Sequence, residues 1–269
     1  MRQNVTFGQY YPTGSIIHRL DPRLKILLSV AMIVEVFLIQ SYIGFAILGA
    51  YLLLVVLLSK IPLTTLLKTV KGIIFLVILT ALCNLFLFKT DNPGNEYTWW
   101  IFRVTDASID YAVRMALRLI MLVMSASMLT LVTTPMELTD GIESLISPLK
   151  LFKVPTHDFA LVMSIALRFI PTLMDETDKI MMAQKSRGAD FESGGLLSRA
   201  KALVPILIPL LVSAFRRAEE LAEAMDSRCY NASPNRTRRK VFRLGYADVV
   251  AILSNALLLL LIISENVIF

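Results

Sequence analysis

The most constraining feature of this chain is an apolar run from Ile26 to Ser59 that carries a single charge, Glu35. As one helix its 34 residues would be about 51 Å long, against about 30 Å of lipid hydrocarbon. The run must therefore fold back on itself, and the polar step at Gln40 and Ser41, with Gly44 just beyond, is the natural turn between two short spans. Three further uncharged runs, Gly72 to Phe88, Leu119 to Met136 and Val249 to Ser264, are each at the short end of what crosses a bilayer. About five transmembrane helices follow. The composition agrees, since 56% of the 269 residues are hydrophobic and 18% charged, where a soluble domain has about 45–50% apolar residues and 25% charged ones.

A sixth apolar run, Ala202 to Phe215, is only 14 residues long and contains Pro205 and Pro209, so it reads as a buried or interfacial helix. It lies within Thr133 to Gly245, which holds 16 of the 27 Lys and Arg residues. The chain divides accordingly into a membrane region over 1–132 with four spans, a cytoplasmic region over 133–245 and a final transmembrane helix over 246–269. Basic residues set the orientation. Arg2, Arg19, Arg23 and Lys25, then Lys60, Lys68 and Lys71, then the sixteen of the middle region fall on one side, whereas Lys89, Arg103, Arg114 and Arg118 fall on the other. The positive-inside rule places the N-terminus in the cytoplasm and the C-terminus outside. Residues 1–15 contain no apolar segment beside a small-residue cleavage site, so no removable signal peptide is expected.

Several functions are excluded or weakened by what is missing. Cys83 and Cys229 lie far apart, and with His18 and His157 they form no metal-ligand cluster. No GxxxxGK[ST] phosphate loop is present, so ATP hydrolysis by this chain is not expected. The run Arg236, Arg238, Arg239, Lys240 and Arg243 lacks interleaved aromatics and reads as a membrane anchor rather than a nucleic-acid surface. Glu35 within an apolar span suggests an alternative, a secondary transporter with this carboxylate in an ion pathway, although the chain shows no duplicated halves.

Two long helices are expected in the middle region. From Pro155 to Arg187, apolar residues including Phe159, Met163, Ala166, Ile170 and Met174 recur at spacings of three and four, and Gly188 follows as a helix C-cap. A second helix runs from about Leu197 to Arg228. Ala160, Ala166, Ser213, Ala214, Ala218 and Ala222 are small enough to let the two cross closely. Their ends are alike, Ala183 to Gly188 and Ala224 to Cys229, each with Ser then Arg at the tip.

These tips, with Leu20-Asp21-Pro22-Arg23-Leu24-Lys25, the segment Thr133 to Leu138, Leu167 to Pro171 and Gln184 to Gly188, resemble the transmembrane T component (EcfT/CbiQ) of energy-coupling factor transporters, a class of vitamin-importing ABC transporter. The similarity covers nearly the whole chain. It implies an all-α integral membrane protein with long cytoplasmic coupling helices in a prokaryotic cell membrane. It further implies a non-catalytic scaffold whose paired tips bind two cytoplasmic ATPase subunits, EcfA and EcfA′, and whose coupling helices carry a substrate-binding S component. The family's Ala-Arg-Gly tips correspond to Ser186-Arg187-Gly188 and Ser227-Arg228-Cys229, so Cys229 stands where the family has glycine. Met163, Ala166, Ile170 and Met174 are the expected S-component platform.

Overall fold

The computed structural model describes residues 10–87, 96–99, 102–148, 156–189, 191, 195–230 and 244–268. After a 3₁₀ turn at Ile17–Arg19 come α1 (Pro22–Leu38), α2 (Tyr42–Ser59), α3 (Leu63–Leu87), a hairpin of β1 (Glu96–Trp99) and β2 (Phe102–Thr105), α4 (Asp106–Val132), α5 (Pro135–Ile146), α6 (Thr156–Ser186), α7 (Leu196–Ser227) and α8 (Tyr246–Ile268). The chain forms two compact units, one of residues 1–145 with 241–269 and one of residues 146–240.

In the first unit α4 lies against α1, α2 and α3, and α8 lies against α1 and α2. Met32, Val36 and Ile39 of α1 and its C-cap meet Phe45, Leu48 and Leu52 of α2 and Leu258 and Ile262 of α8 in one core cluster. A second cluster joins Val56 to Leu131 and Val132 near the other end of α2. The outward faces remain apolar; Phe75 of α3, for example, is 76% exposed. That is the pattern of helices surrounded by lipid.

Among the described residues, α2, α3, α4 and α8 are long and apolar enough to cross a membrane. The expected first span is the difference. Helix α1 has 17 residues and carries Arg23, Lys25 and Glu35, giving about 26 Å of rise. It nevertheless runs parallel to α8 and is tied to it at both ends. The Asp21 N–H donates to Asp248 Oδ1 at 3.0 Å, and Asn266 Nδ2 donates to the Leu38 carbonyl at 2.7 Å. Helix α1 therefore covers the depth of a helix that qualifies, and its shortness is absorbed by hydrogen bonds at its ends.

The turn after α1 falls where the polar step predicts. Ser41 caps α2 by accepting from the Ile43 N–H. The carbonyls left over at the end of α1 are taken by Arg118 Nη2, which donates to Ile39 at 2.9 Å, and Arg114 Nη1, which donates to Gln40 at 3.0 Å. These arginines belong to α4, which starts at Asp106 behind a Thr105–Ser108 capping box, 13 residues before the uncharged run. They explain two positive charges on the sparsely basic side, since cations complement a helix C-terminus.

Two elements are additions to the sequence reading. The hairpin pairs Glu96 with Thr105 and Trp99 with Phe102 in antiparallel register, so the all-α architecture carries one small two-stranded sheet. Helix α5 begins at Pro135, where proline's missing N–H costs nothing, and the Glu137 N–H donates to Thr134 Oγ1. Its Gly141 lies against the start of α1: a Cβ there would stand 2.9 Å from Ile26 Cδ1 and 3.3 Å from the Pro22 backbone.

Candidate functional site

The second unit consists chiefly of α6 and α7, which pack on each other. With 31 and 32 residues, they are rods of about 46 and 48 Å. Pro171 lies inside α6, and Pro205 and Pro209 lie inside α7. Arg217 Nη2 of α7 donates to Glu176 Oε2 of α6 at 3.2 Å, and Gln184 Nε2 donates to the Pro205 carbonyl. Of the small residues expected at the crossing, Ala160 is buried and Ser213 and Ala214 are half-buried, whereas Ala166, Ala218 and Ala222 face outward.

The two rods end in the same backbone device. At the first tip the Ala189 N–H donates to the Gln184 carbonyl and the Gly188 N–H to the Lys185 carbonyl, both at 3.0 Å. At the second the Tyr230 N–H donates to the Met225 carbonyl and the Cys229 N–H to the Asp226 carbonyl, both at 2.9 Å. Each is a complete Schellman motif. The residue that reverses the chain has φ +87° at Gly188 and +54° at Cys229, so cysteine takes the left-handed conformation that glycine adopts without steric penalty. Ser186 and Ser227 donate their hydroxyls back to the carbonyls of Met182 and Ala224. Arg187 and Arg228, each one residue before the left-handed position, are exposed. Cysteine at the second tip therefore closes the same cap form that glycine closes at the first.

On α6, Met163 is 37% and Met174 39% exposed, Ala166 is exposed, and Ile170 between them is half-buried. Phe159 and Val162 extend this apolar face, and α7 exposes Leu207, Ile208, Leu211 and Phe215. Apolar surface of this extent marks a contact with a partner or with membrane.

In the first unit, the motif segments Leu20–Lys25 and Thr133–Leu138 meet. Asp21 caps α1 by accepting from the Arg23 N–H at 3.0 Å. Lys25, buried, donates from Nζ to the carbonyls of His18 at 2.7 Å and Val132 at 3.3 Å, which ties the 3₁₀ turn to the end of α4. The carboxylates of Glu137, Asp248 and Asp21 act on its charge. His18 is buried beside it, Nε2 on the Tyr11 carbonyl at 2.9 Å and Nδ1 on Ser15 Oγ at 2.8 Å. This knot was present in the sequence as a motif, but its role became visible only when its carbonyl acceptors were placed. Glu35 is 1% exposed within the bundle, and its carboxylate has no hydrogen-bond partner among the described residues. No group of three His, Cys, Asp or Glu side chains able to hold a metal occurs among the described residues.

A bundle of lipid-length apolar helices joined in sequence to two long rods with exposed apolar faces defines a multi-span α-helical membrane protein. The protein family described as CbiQ, cobalt transport protein, matches residues 13–239. A protein of Ruminiclostridium cellulolyticum is 48% identical over 93% of this chain and 92% of its own length. One of Clostridium kluyveri is 49% identical over 93% of each, and one of Bacillus subtilis is 44% identical over 88% of this chain and 89% of its own. All three are named energy-coupling factor transporter transmembrane protein EcfT. The chain belongs to this EcfT/CbiQ family.

Proposed function

We propose that this chain is the transmembrane scaffold of an energy-coupling factor transporter, linking ATP hydrolysis by two cytoplasmic ATPase subunits to uptake of a vitamin or other micronutrient through an S component. In this reading the N-terminus and region 133–245 lie in the cytoplasm, the C-terminus lies outside, and the chain has no catalytic residue of its own. Arg187 and Arg228 enter the two ATPases, and the face of Met163, Ala166, Ile170 and Met174 carries the S component. The observation that carries it is the pair of equivalent tips. Two rods close with the same hydrogen-bond pattern and each presents one arginine, as two levers for two homologous partners require. The platform residue Ala166 and the tip residue Arg187, one position past the end of α6, are 21 positions apart, about 32 Å at helical rise, so a push at the tip reaches the platform along one helix that carries Pro171 on the way.

Magnitudes separate a lever from a cap. An arginine that only complements the helix dipole contributes about 0.3–1 kcal/mol, whereas truncating a desolvated charge pair at an interface costs about 2–5 kcal/mol. In proteoliposomes holding the assembled transporter, Arg187→Ala and Arg228→Ala should each uncouple ATP hydrolysis from uptake, and the double variant should not transport. Lysine should restore little, because it lacks the planar fork of donors. Wild-type uptake by the double alanine variant would show that the tips are only caps.

A further inference from the structure

Beside the 3₁₀ turn, between α1, α2, α4 and α8, the membrane unit contains a cleft of about 420 Å³. Met32, Met128, Ser125 and Thr133 line it and are buried, Ser125 with 0% exposure. Leu58 of α2 and Val250 and Tyr246 of α8 also line it but stand on outward faces, with Tyr246 87% exposed. In a membrane the outward faces of α2 and α8 meet acyl chains. The cleft is therefore a side pocket of the lipid phase with its mouth between these two helices. Tyr246 stands where aromatic residues favour the membrane interface, at the end of the bundle that holds Lys25.

Two features favour a lipid over an empty void. Thr133 Oγ1 is a buried hydroxyl with no hydrogen-bond partner among the described residues, and a buried donor in that state calls for an acceptor. The second feature is a pair of exposed basic residues close in sequence to the lining. Lys25 lines the cleft, with the carboxylates of Glu137, Asp248 and Asp21 close enough to act on its charge. Exposed Arg19 and Lys60 stand one and two residues from the lining residues Leu20 and Leu58. Ser125, eight residues deeper on α4, or about 12 Å, marks how far a chain can enter, and its own hydroxyl is unpaired too.

We propose that this cleft holds one acyl chain of an anionic membrane phospholipid. The chain lies against Met32 and Met128, an ester carbonyl accepts from Thr133 Oγ1, and the phosphate faces Arg19 and Lys60. Anionic lipid is preferred because basic residues at a membrane surface attract it.

The test uses the full chain in nanodiscs of phosphatidylglycerol or of phosphatidylcholine, each doped with the same lipid carrying a diazirine on one acyl chain. After irradiation, adducts are mapped by peptide mass analysis, with the lipid-facing Phe75 as control. Met32 and Met128 should be labelled, more strongly in phosphatidylglycerol. Ala251→Trp at the mouth, or Leu58→Trp from the opposite wall, should abolish labelling of Met32 and Met128 while Phe75 labelling and the melting temperature persist. Two blocking variants on different helices keep the result readable if one of them misfolds. Label at Phe75 without label at Met32 or Met128, or label there that survives both tryptophans, overturns the proposal. Equal labelling from the two lipids overturns the headgroup assignment, and loss of the label when partner subunits are added would assign the cleft to a protein surface instead.

Discussion

The backbone N–H of Asp21 donates to Asp248 Oδ1 at 3.0 Å, joining the start of α1 to the start of α8 across 227 residues of sequence. The other oxygen, Oδ2, accepts from the Gly245 N–H at 2.7 Å, which is the return half of a capping box. One buried carboxylate thus caps its own helix and positions another. It also offsets the buried Lys25 charge. Asp248→Ala removes both acceptors, and leaving a buried donor unmade costs about 1–3 kcal/mol. The variant should unfold at lower denaturant or temperature in detergent, with Asp248→Asn intermediate because it keeps one oxygen. Unchanged unfolding of the alanine variant would show that this end of α8 frays already.

His18 gives the same knot a pH dependence. Burial is the main cause holding its pKa below the usual 6.5, assisted by Lys25 and opposed by the Tyr11 hydrogen bond and Glu137. With Nε2–H donating to the Tyr11 carbonyl, Nδ1 is left to accept from the Ser15 hydroxyl, so the folded state favours the neutral ring. The unfolded chain then binds the proton more readily, and stability is complete above the ordinary histidine pKa and declines as pH falls below it. Unfolding midpoints followed from roughly pH 7 to pH 5 should drop in the wild type and drop less in His18→Gln. A variant with the same slope as the wild type would place the titration elsewhere.

Much of this arrangement was legible because lipid simplifies the code. Uncharged runs located α2, α3, α4 and α8, and periodicity located α6 and α7 to within about one residue at most ends. What failed did so for identifiable reasons. Counting uncharged residues truncated α4, because Arg114 and Arg118 belong to the helix and bond the carbonyls of Gln40 and Ile39. The same criterion concealed the hairpin, although Tyr97, Thr98, Val104 and Thr105 are good strand formers. Helix α5 was missed because a 12-residue element between longer ones carries few periods. The tips were legible as a repeated Ser-Arg pair. Whether Cys229 could close the second one depended on backbone torsion, and no residue pattern states that.

The apolar face of α6 makes a separable prediction. If Met163, Ala166, Ile170 and Met174 carry the S component, Ala166→Glu introduces an unpaired charge into an apolar contact, where one desolvated charge without a partner costs about 3–5 kcal/mol. Ala166 is exposed, so the isolated chain should tolerate the change. Co-purification should then recover the ATPases without the S component. Loss of both partners together would point to a damaged helix, and retention of both would remove Ala166 from the platform.

Left-handed backbone at Cys229 supplies the last prediction. An L-residue with a Cβ in this conformation carries a penalty of roughly 1–2 kcal/mol that glycine avoids, and the two Schellman bonds that close the second tip are the same two that close the first. Cys229→Gly should therefore make the second tip exchange its amide hydrogens more slowly at Cys229 and Tyr230, the two N–H groups that close the motif. The gain is limited because glycine is also more flexible in the unfolded chain, which offsets part of it. Gly188→Ala does the opposite at the first tip, where φ +87° lies further from the left-handed minimum; its Cβ meets nothing within 4 Å, so the loss is conformational and not steric contact with a neighbour. Hydrogen exchange read by mass spectrometry on the two tip peptides gives both comparisons in one experiment. Slower exchange in Cys229→Gly together with faster exchange in Gly188→Ala is the expected pair. If Cys229→Gly leaves exchange unchanged or speeds it, the cysteine is held in the left-handed conformation without penalty and the two tips are equivalent in stability as well as in form.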